Sequence, residues 1–114
     1  MSLLRNIPEC NNHVSRYGWD YTQFMGRQVK DLKIGIIGYG RLGKMMKKYC
    51  DAFDAYTYVY DPYVDIEQIS LENMFKICDV ISLHVHVTEE TKYMINEKLL
   101  GEAKNCPYII NTSR

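Results

Sequence analysis

The sequence predicts an α/β fold in which a parallel sheet is wound on both faces by helices, and three observations carry that prediction. A short apolar run from Lys33 to Ile37 breaks into the glycine turn Gly38-Tyr39-Gly40-Arg41-Leu42-Gly43 and passes at once into a stretch with helical spacing. A second apolar run, Ala55 to Tyr60, ends in an acid, Asp61. Strand-like and amphipathic segments then alternate to the end of the chain, with no internal repeat and no low-complexity linker between them.

Residues 1–32 read as an entry arm, polar in character, with a weak helical pattern from Leu3 through Ile7. Its Trp19, Tyr21 and Phe24 are expected to pack on the flank of the sheet, and an arm of this kind also offers a surface to a second subunit. Residues 33–114 form the sheet domain. The β-branched Ile34, Ile36 and Ile37 make the first strand, and the following helix places Leu42, Met45, Met46, Tyr49 and Phe53 on one apolar face, expected to be buried. After Asp61 a Pro62 turn leads to an edge-like strand near Ile66 to Ile69. Ser70 caps a helix carrying Leu71, Met74, Phe75 and Cys78, and Asp79 to Val85 reads as a buried central strand. Thr88 is placed to cap a helical turn through Met94, Asn96 another through Leu100, and Pro107 to Thr112 is the last strand. Right-handed crossovers then give the strand order 3-2-1-4-5 of a Rossmann-type, doubly wound sheet. Its switch point falls between the strand before Gly38 and the strand ending at His84, where a ligand would sit.

The glycine turn has the chemistry a dinucleotide needs. Gly38 permits the tight turn, Gly40 removes a side chain from the path of a pyrophosphate, and Gly43 lets the helix lie close on its strand. The first N–H groups and the positive dipole end of the helix face the phosphates. Asp61 stands about eighteen positions past Gly43, where a nucleotide-binding βαβ unit sets an acid against the adenosine ribose.

Composition narrows the remaining classes. The 114 residues are 46% hydrophobic, enough for one domain, and fourteen basic residues balance fourteen acidic ones. There is thus no electrostatic case for a nucleic-acid partner, and Lys44, Lys47 and Lys48 read as the wet face of their helix. No run of eighteen apolar residues offers a membrane span, and the first twenty positions carry Arg5, Glu9, Arg16 and Asp20 rather than an apolar secretory core, so a cytoplasmic protein is expected. Cys10, Cys50, Cys78 and Cys106 lack metal-ligand spacing, and His84 with His86 has no third ligand nearby, so no metal site is expected.

At this point the residues resemble a family, the D-isomer-specific 2-hydroxyacid dehydrogenases, in their nucleotide-binding domain. The resemblance rests on Leu4-Arg5-Asn6-Ile7-Pro8, Trp19, Gly35 through Lys44, and Tyr60-Asp61-Pro62-Tyr63. It continues in Ser70-Leu71-Glu72, Asp79 through His84, Thr88 with Glu90-Thr91, and Ile110-Asn111-Thr112-Ser113-Arg114. It implies an oxidoreductase that moves a hydride between NAD(H) and a D-2-hydroxy or 2-keto acid. It further implies Gly38, Gly40, Arg41, Leu42 and Gly43 as the phosphate turn, Asp61 as acceptor for the ribose hydroxyls, and His84, Val85, His86, Thr112 and Ser113 as lining of the cofactor cleft. The Asp61 carboxylate would repel a 2′-phosphate, and neither Pro62 nor Tyr63 supplies a cation for one, which favours NAD over NADP.

Arg114 matches the family's arginine that clamps the substrate carboxylate and polarises the keto oxygen, a role suited to a planar, charged fork of donors. The glutamate and histidine of the family's acid/base pair fall after this arginine in the motif order, and neither His84 nor His86 holds that place. The chain as given is therefore expected to be a C-terminally incomplete domain, inactive alone, with the Tyr108 to Asn111 strand an exposed edge prone to self-association. Relatives pair through this domain, which implies a homodimer. His86 and Glu89 stand where many relatives carry prolines, and Gln28-Val29-Lys30-Asp31 replaces a more usual Glu-Leu-x-Gly. Two other readings use the same residues: an NADH-sensing interaction protein like the C-terminal-binding corepressors, and an S-adenosylmethionine-dependent methyltransferase.

Overall fold

In a computed structural model that describes residues 1–113, four parallel strands form one sheet. They are β1 (Lys33–Ile37), β2 (Tyr56–Tyr60), β3 (Val80–Leu83) and β4 (Tyr108–Asn111), in the order β2-β1-β3-β4. Ile36 of β1 faces Val59 on one side and Ser82 on the other, and Ile81 of β3 pairs with Ile109. The helices α1 (Ile7–Tyr17), α2 (Arg41–Ala52), α3 (Leu71–Ile77) and α4 (Glu97–Gly101) complete the order. The switch point lies between β1 and β3, as the crossover rule requires.

The core explains why β1 and β3 sit centrally. Ile34, Ile36, Ile37, Val80, Ile81 and Leu83 are all buried, on both faces of the sheet. On one face they meet Met74, Phe75 and Cys78 of the α3 segment and Leu99 of α4; on the other, Leu32, Ile34, Val80 and Cys50 of α2 close together. A Cβ on Gly35 would stand 2.5 Å from the Met74 sulfur, so the glycine lets α3 approach β1. Burial pushes the Cys78 thiol up to about 12, and the Cys50 thiol also rises, leaving both as inert packing groups.

Three caps expected from the sequence are present. Ser70 Oγ accepts the Asn73 N–H at 3.2 Å and Asn96 Oδ1 accepts the Leu99 N–H at 3.0 Å. Thr88 caps the expected turn as well: its Oγ1 accepts the Thr91 N–H at 3.2 Å and its carbonyl the Lys92 N–H at 2.9 Å, while Thr91 Oγ1 donates to the His86 carbonyl at 2.6 Å. Among the described residues the segment Ile66 to Ile69 forms no strand and only its Ile69 N–H reaches the carbonyl of Val59, so the sheet is one strand short of the 3-2-1-4-5 expectation. Pro62 and the Asp61 and Gln68 side-chain bonds turn this segment away before a ladder can form.

Helix α2 lies differently from its apolar stripe. Gly43 and Cys50 face the sheet with Met46 beside them, while Leu42, Met45, Tyr49 and Phe53 are exposed. Gly43 dictates this orientation, since a Cβ there would stand 2.0 Å from the Gly38 carbonyl oxygen; the helix must set that position against the turn, which rotates the larger residues outward.

The arm is more helical than its sequence pattern suggested, with α1 running eleven residues. Trp19, 93% exposed, and Tyr21 do not pack on the sheet; Phe24 finds a ring partner, His13, at 5.0 Å. The arm is anchored instead by Leu4 and Val29 against the second core cluster and by Arg27, which donates to Asp79 Oδ1 at 2.6 Å. Asp79 Oδ2 accepts the Lys33 N–H at 2.9 Å, so one carboxylate joins the arm to the starts of β1 and β3. Partial burial pushes that carboxyl up, but Arg27 and the Lys33 N–H outweigh it and hold Asp79 below its ordinary value.

Candidate functional site

The carboxyl ends of β1, β2, β3 and β4 open on one cleft of about 750 Å³. It is bordered by Gly38, Gly40, Arg41 and Leu42 on one side, by Asp61, Pro62 and Tyr63 after β2, and by His84, Val85, His86, Thr112 and Ser113 after β3 and β4. Every cofactor residue expected from the sequence is on its rim except Gly43, which lies one layer beneath. Arg114 lies outside the described residues.

On the glycine side the three glycines have separate causes. Gly38 has φ +92°, and a Cβ there would meet the His84 carbonyl at 2.9 Å, so both the conformation and the approach to β3 require glycine. Gly43 holds α2 against the turn. A Cβ at Gly40, by contrast, would meet nothing within 4 Å. Nothing in the protein's own packing explains the glycine at 40, and the open space beside it adjoins the first turn of α2, whose capping position offers no side-chain oxygen. That is the arrangement expected of a seat for a dinucleotide pyrophosphate, and the residues present fit one.

Asp61 is more than a rim carboxylate. Its Oδ2 accepts the Tyr39 N–H at 2.7 Å and its Oδ1 the Tyr63 N–H at 3.0 Å, so it ties the phosphate turn to the loop after β2. Each oxygen keeps a lone pair for a further donor such as a ribose hydroxyl. Across the mouth the Tyr63 hydroxyl donates to the Glu90 carboxylate, and that bond, with the charge on Glu90, raises the Tyr63 phenol above its ordinary value.

The far wall is built of side-chain hydrogen bonds. Ser82, 2% exposed, sits 3.0 Å from His84 Nε2; Thr112 Oγ1 is 2.9 Å from His84 Nδ1 and donates to the Leu83 carbonyl at 2.7 Å. Burial lowers the His84 pKa, favouring the neutral ring. Sequence reasoning left out Ser82, Tyr39 and Tyr63 as site residues. Ser82 carried a usable signal, a lone hydroxyl in an otherwise apolar central strand, two positions before a histidine.

The family model of the D-isomer-specific 2-hydroxyacid dehydrogenase NAD-binding domain matches residues 1–114, the whole chain. The chain belongs to this family. Among curated relatives, D-3-phosphoglycerate dehydrogenase from Synechocystis sp. is 32% identical across 100% of this chain, which spans 22% of that protein. The enzyme of the same name from Haemophilus influenzae is 33% identical over 98% of the chain and 29% of its own length. The chain therefore spans less than a third of each of these two relatives. Among solved structures, D-lactate dehydrogenase from Aquifex aeolicus, complexed with NAD and lactic acid, superposes with TM-score 0.92 at 33% identity, covering 99% of this chain and 36% of that one. D-2-hydroxyisocaproate dehydrogenase gives TM-score 0.89 at 31% identity, covering 99% of this chain and 36% of that one. The fold is thus that of a Rossmann-like NAD-binding domain and NAD is the cofactor of the family. Among the described residues no group of His, Cys, Asp or Glu is arranged to hold a metal, and no helix is long and apolar enough to cross a membrane.

Proposed function

We propose that the cleft is the NAD site of a cytoplasmic oxidoreductase that moves a hydride between NAD(H) and a D-2-hydroxy or 2-keto acid. The observation that carries this reading is Gly40, a glycine the protein's own packing does not need, set between the first turn of α2 and the Asp61 carboxylate. When bound, the nicotinamide gives or takes the hydride.

In this reading the backbone N–H groups of Arg41 and Leu42 hold the pyrophosphate, and Asp61 accepts from the ribose hydroxyls with the lone pairs that Tyr39 and Tyr63 leave free. Asp61 and, on the same rim, Glu90 place negative charge where a 2′-phosphate would arrive, which supports NAD over NADP. An acyclic imino acid reductase of TM-score 0.90 and 25% identity is in complex with NADPH, so this preference is a property to be measured. Arg114 is assigned to the substrate carboxylate and keto oxygen on its place after Asn111-Thr112-Ser113. Residues 1–32 act as an arm and 33–114 as the cofactor domain. The exposed Leu42, Met45, Tyr49 and Phe53 support pairing of two copies, which sedimentation would register as a concentration-dependent mass. The free cysteines support a reducing cytoplasm.

Thermal denaturation of the chain with NADH, NADPH or S-adenosylmethionine tests the reading. Ligand at a hundredfold over its dissociation constant adds about 2.7 kcal/mol, several degrees for a domain of this size. The expected result is a shift with NADH, reduced in Asp61→Ala; a shift with S-adenosylmethionine alone overturns the assignment.

A further inference from the structure

We propose that His84 is a positioning residue, fixed as the neutral Nδ1–H tautomer, that clamps the end of β4 onto the end of β3 and so holds Thr112 and Ser113 in the wall of the cleft. The available protons decide the tautomer. The Thr112 hydroxyl has a single hydrogen, and the Leu83 carbonyl, which can only accept, takes it at 2.7 Å. The Thr112 oxygen can then only accept from His84 Nδ1 at 2.9 Å, so Nδ1 carries the ring proton. Nε2 is left with a lone pair, and Ser82 Oγ, 3.0 Å away and buried, donates to it.

The chain of donors therefore runs in one direction, Ser82 to His84 to Thr112 to the Leu83 carbonyl, and every proton in it is used. The Leu83 carbonyl also accepts the Thr112 N–H at 3.2 Å, so this single oxygen fastens Thr112 twice. The ring lines the cleft, yet both nitrogens are engaged within the protein. It is accordingly a support for the wall that presents Thr112 and Ser113. The titratable groups of the other cleft elements are Arg41 of α2, Tyr60 at the end of β2, Asp61 and Tyr63 after it, and His86 and Glu90 after β3; none hydrogen-bonds to the ring among the described residues. A second proton on the ring would force the buried Ser82 hydroxyl to reverse from donor to acceptor, and burial already opposes that charge.

The consequence for the cleft rests on the NAD reading above, but the tautomer does not, and the test separates them. Two-bond nitrogen–proton correlation spectra of the chain without ligand, at pH 7.5, distinguish the two neutral tautomers directly. The His84 signals, assigned by their loss in His84→Gln, are expected to show Nδ1 protonated and Nε2 bare. Thr112→Val is expected to let the ring take up the Nε2–H form and to raise amide exchange at position 112 at least tenfold, whereas Thr112→Ser retains both properties. A wild-type spectrum with the proton on Nε2 overturns the proposal and needs no variant to fold. So does a folded Thr112→Val protein with an unchanged tautomer. A chain with the Nδ1–H pattern and no thermal shift with NADH keeps the clamp and sets aside the cofactor reading.

Discussion

On one wall of the cleft, Gly38, Gly40 and Gly43 act by the side chains they lack; on the other, Ser82, His84, Thr91 and Thr112 act through hydrogen bonds their side chains make. The first wall is backbone, positioned by steric necessity at two of its three glycines. The second is a set of hydroxyls and one imidazole that hydrogen-bond two strand ends and, separately, a loop. The contrast teaches where each wall is vulnerable: the glycine wall tolerates no added volume at Gly38 or Gly43, whereas the polar wall does not tolerate the loss of a donor.

Gly43→Ala is the change expected to do most damage. Its Cβ would stand 2.0 Å from the Gly38 carbonyl, backbone against backbone, so α2 must shift off the turn. A loss of about 3 kcal/mol or more is expected in urea denaturation, with NADH binding lost alongside it. A near-neutral result would mean that the helix does not depend on this contact, and the account of its orientation would fall with it.

Gly40→Ala sharpens the same wall. The added methyl meets no protein atom within 4 Å, so the unfolding free energy from urea denaturation should change by less than about 0.5 kcal/mol. NADH affinity, read by fluorescence titration, should fall about tenfold or more, equivalent to about 1.4 kcal/mol. Stability lost together with affinity would make Gly40 another packing glycine and remove the observation on which the proposed function rests most.

Ser82→Ala probes the opposite wall. It removes the donor to His84 Nε2 from a fully packed strand position, leaving an acceptor half-buried without its partner. A cost of about 1 kcal/mol is expected, smaller than at Gly43 because no backbone has to move.

These two walls also differ in how far the sequence exposes them. Gly38, Gly40, Gly43 and Asp61 lie at spacings imposed by a strand, a turn and a helix, and local periodicity reveals them. Even there the orientation of α2 escaped the pattern, because a stripe of Leu42, Met45, Tyr49 and Phe53 looks buried until the glycine contact fixes the rotation. The far wall joins residues about thirty positions apart, as in the Thr112 to Leu83 bond, and depends on which atoms meet at strand ends. No local pattern encodes that meeting. The helix of the arm was missed for another reason: Ile7, Cys10 and Val14 recur at helical spacing along α1, but they stand among polar residues that suggested a loop.

The smallest expected effect is a pH dependence confined to the polar wall. Burial lowers the His84 pKa in the folded protein below its ordinary 6.5, so below that pH the unfolded chain binds a proton more readily than the folded one. Stability from this group is thus complete above about pH 6.5 and declines as acidification proceeds from there through the folded-state pKa. Asp79, held below its ordinary carboxyl value, also weakens the fold on acidification, but from pH about 3.8 downward, so the two contributions separate on the pH axis. Denaturation series from pH 7.5 to 5 should therefore show a gentle loss in the wild type and a flatter profile in His84→Gln. A profile equally steep in both would place the titrating group elsewhere and leave the two walls alike in their response to acid.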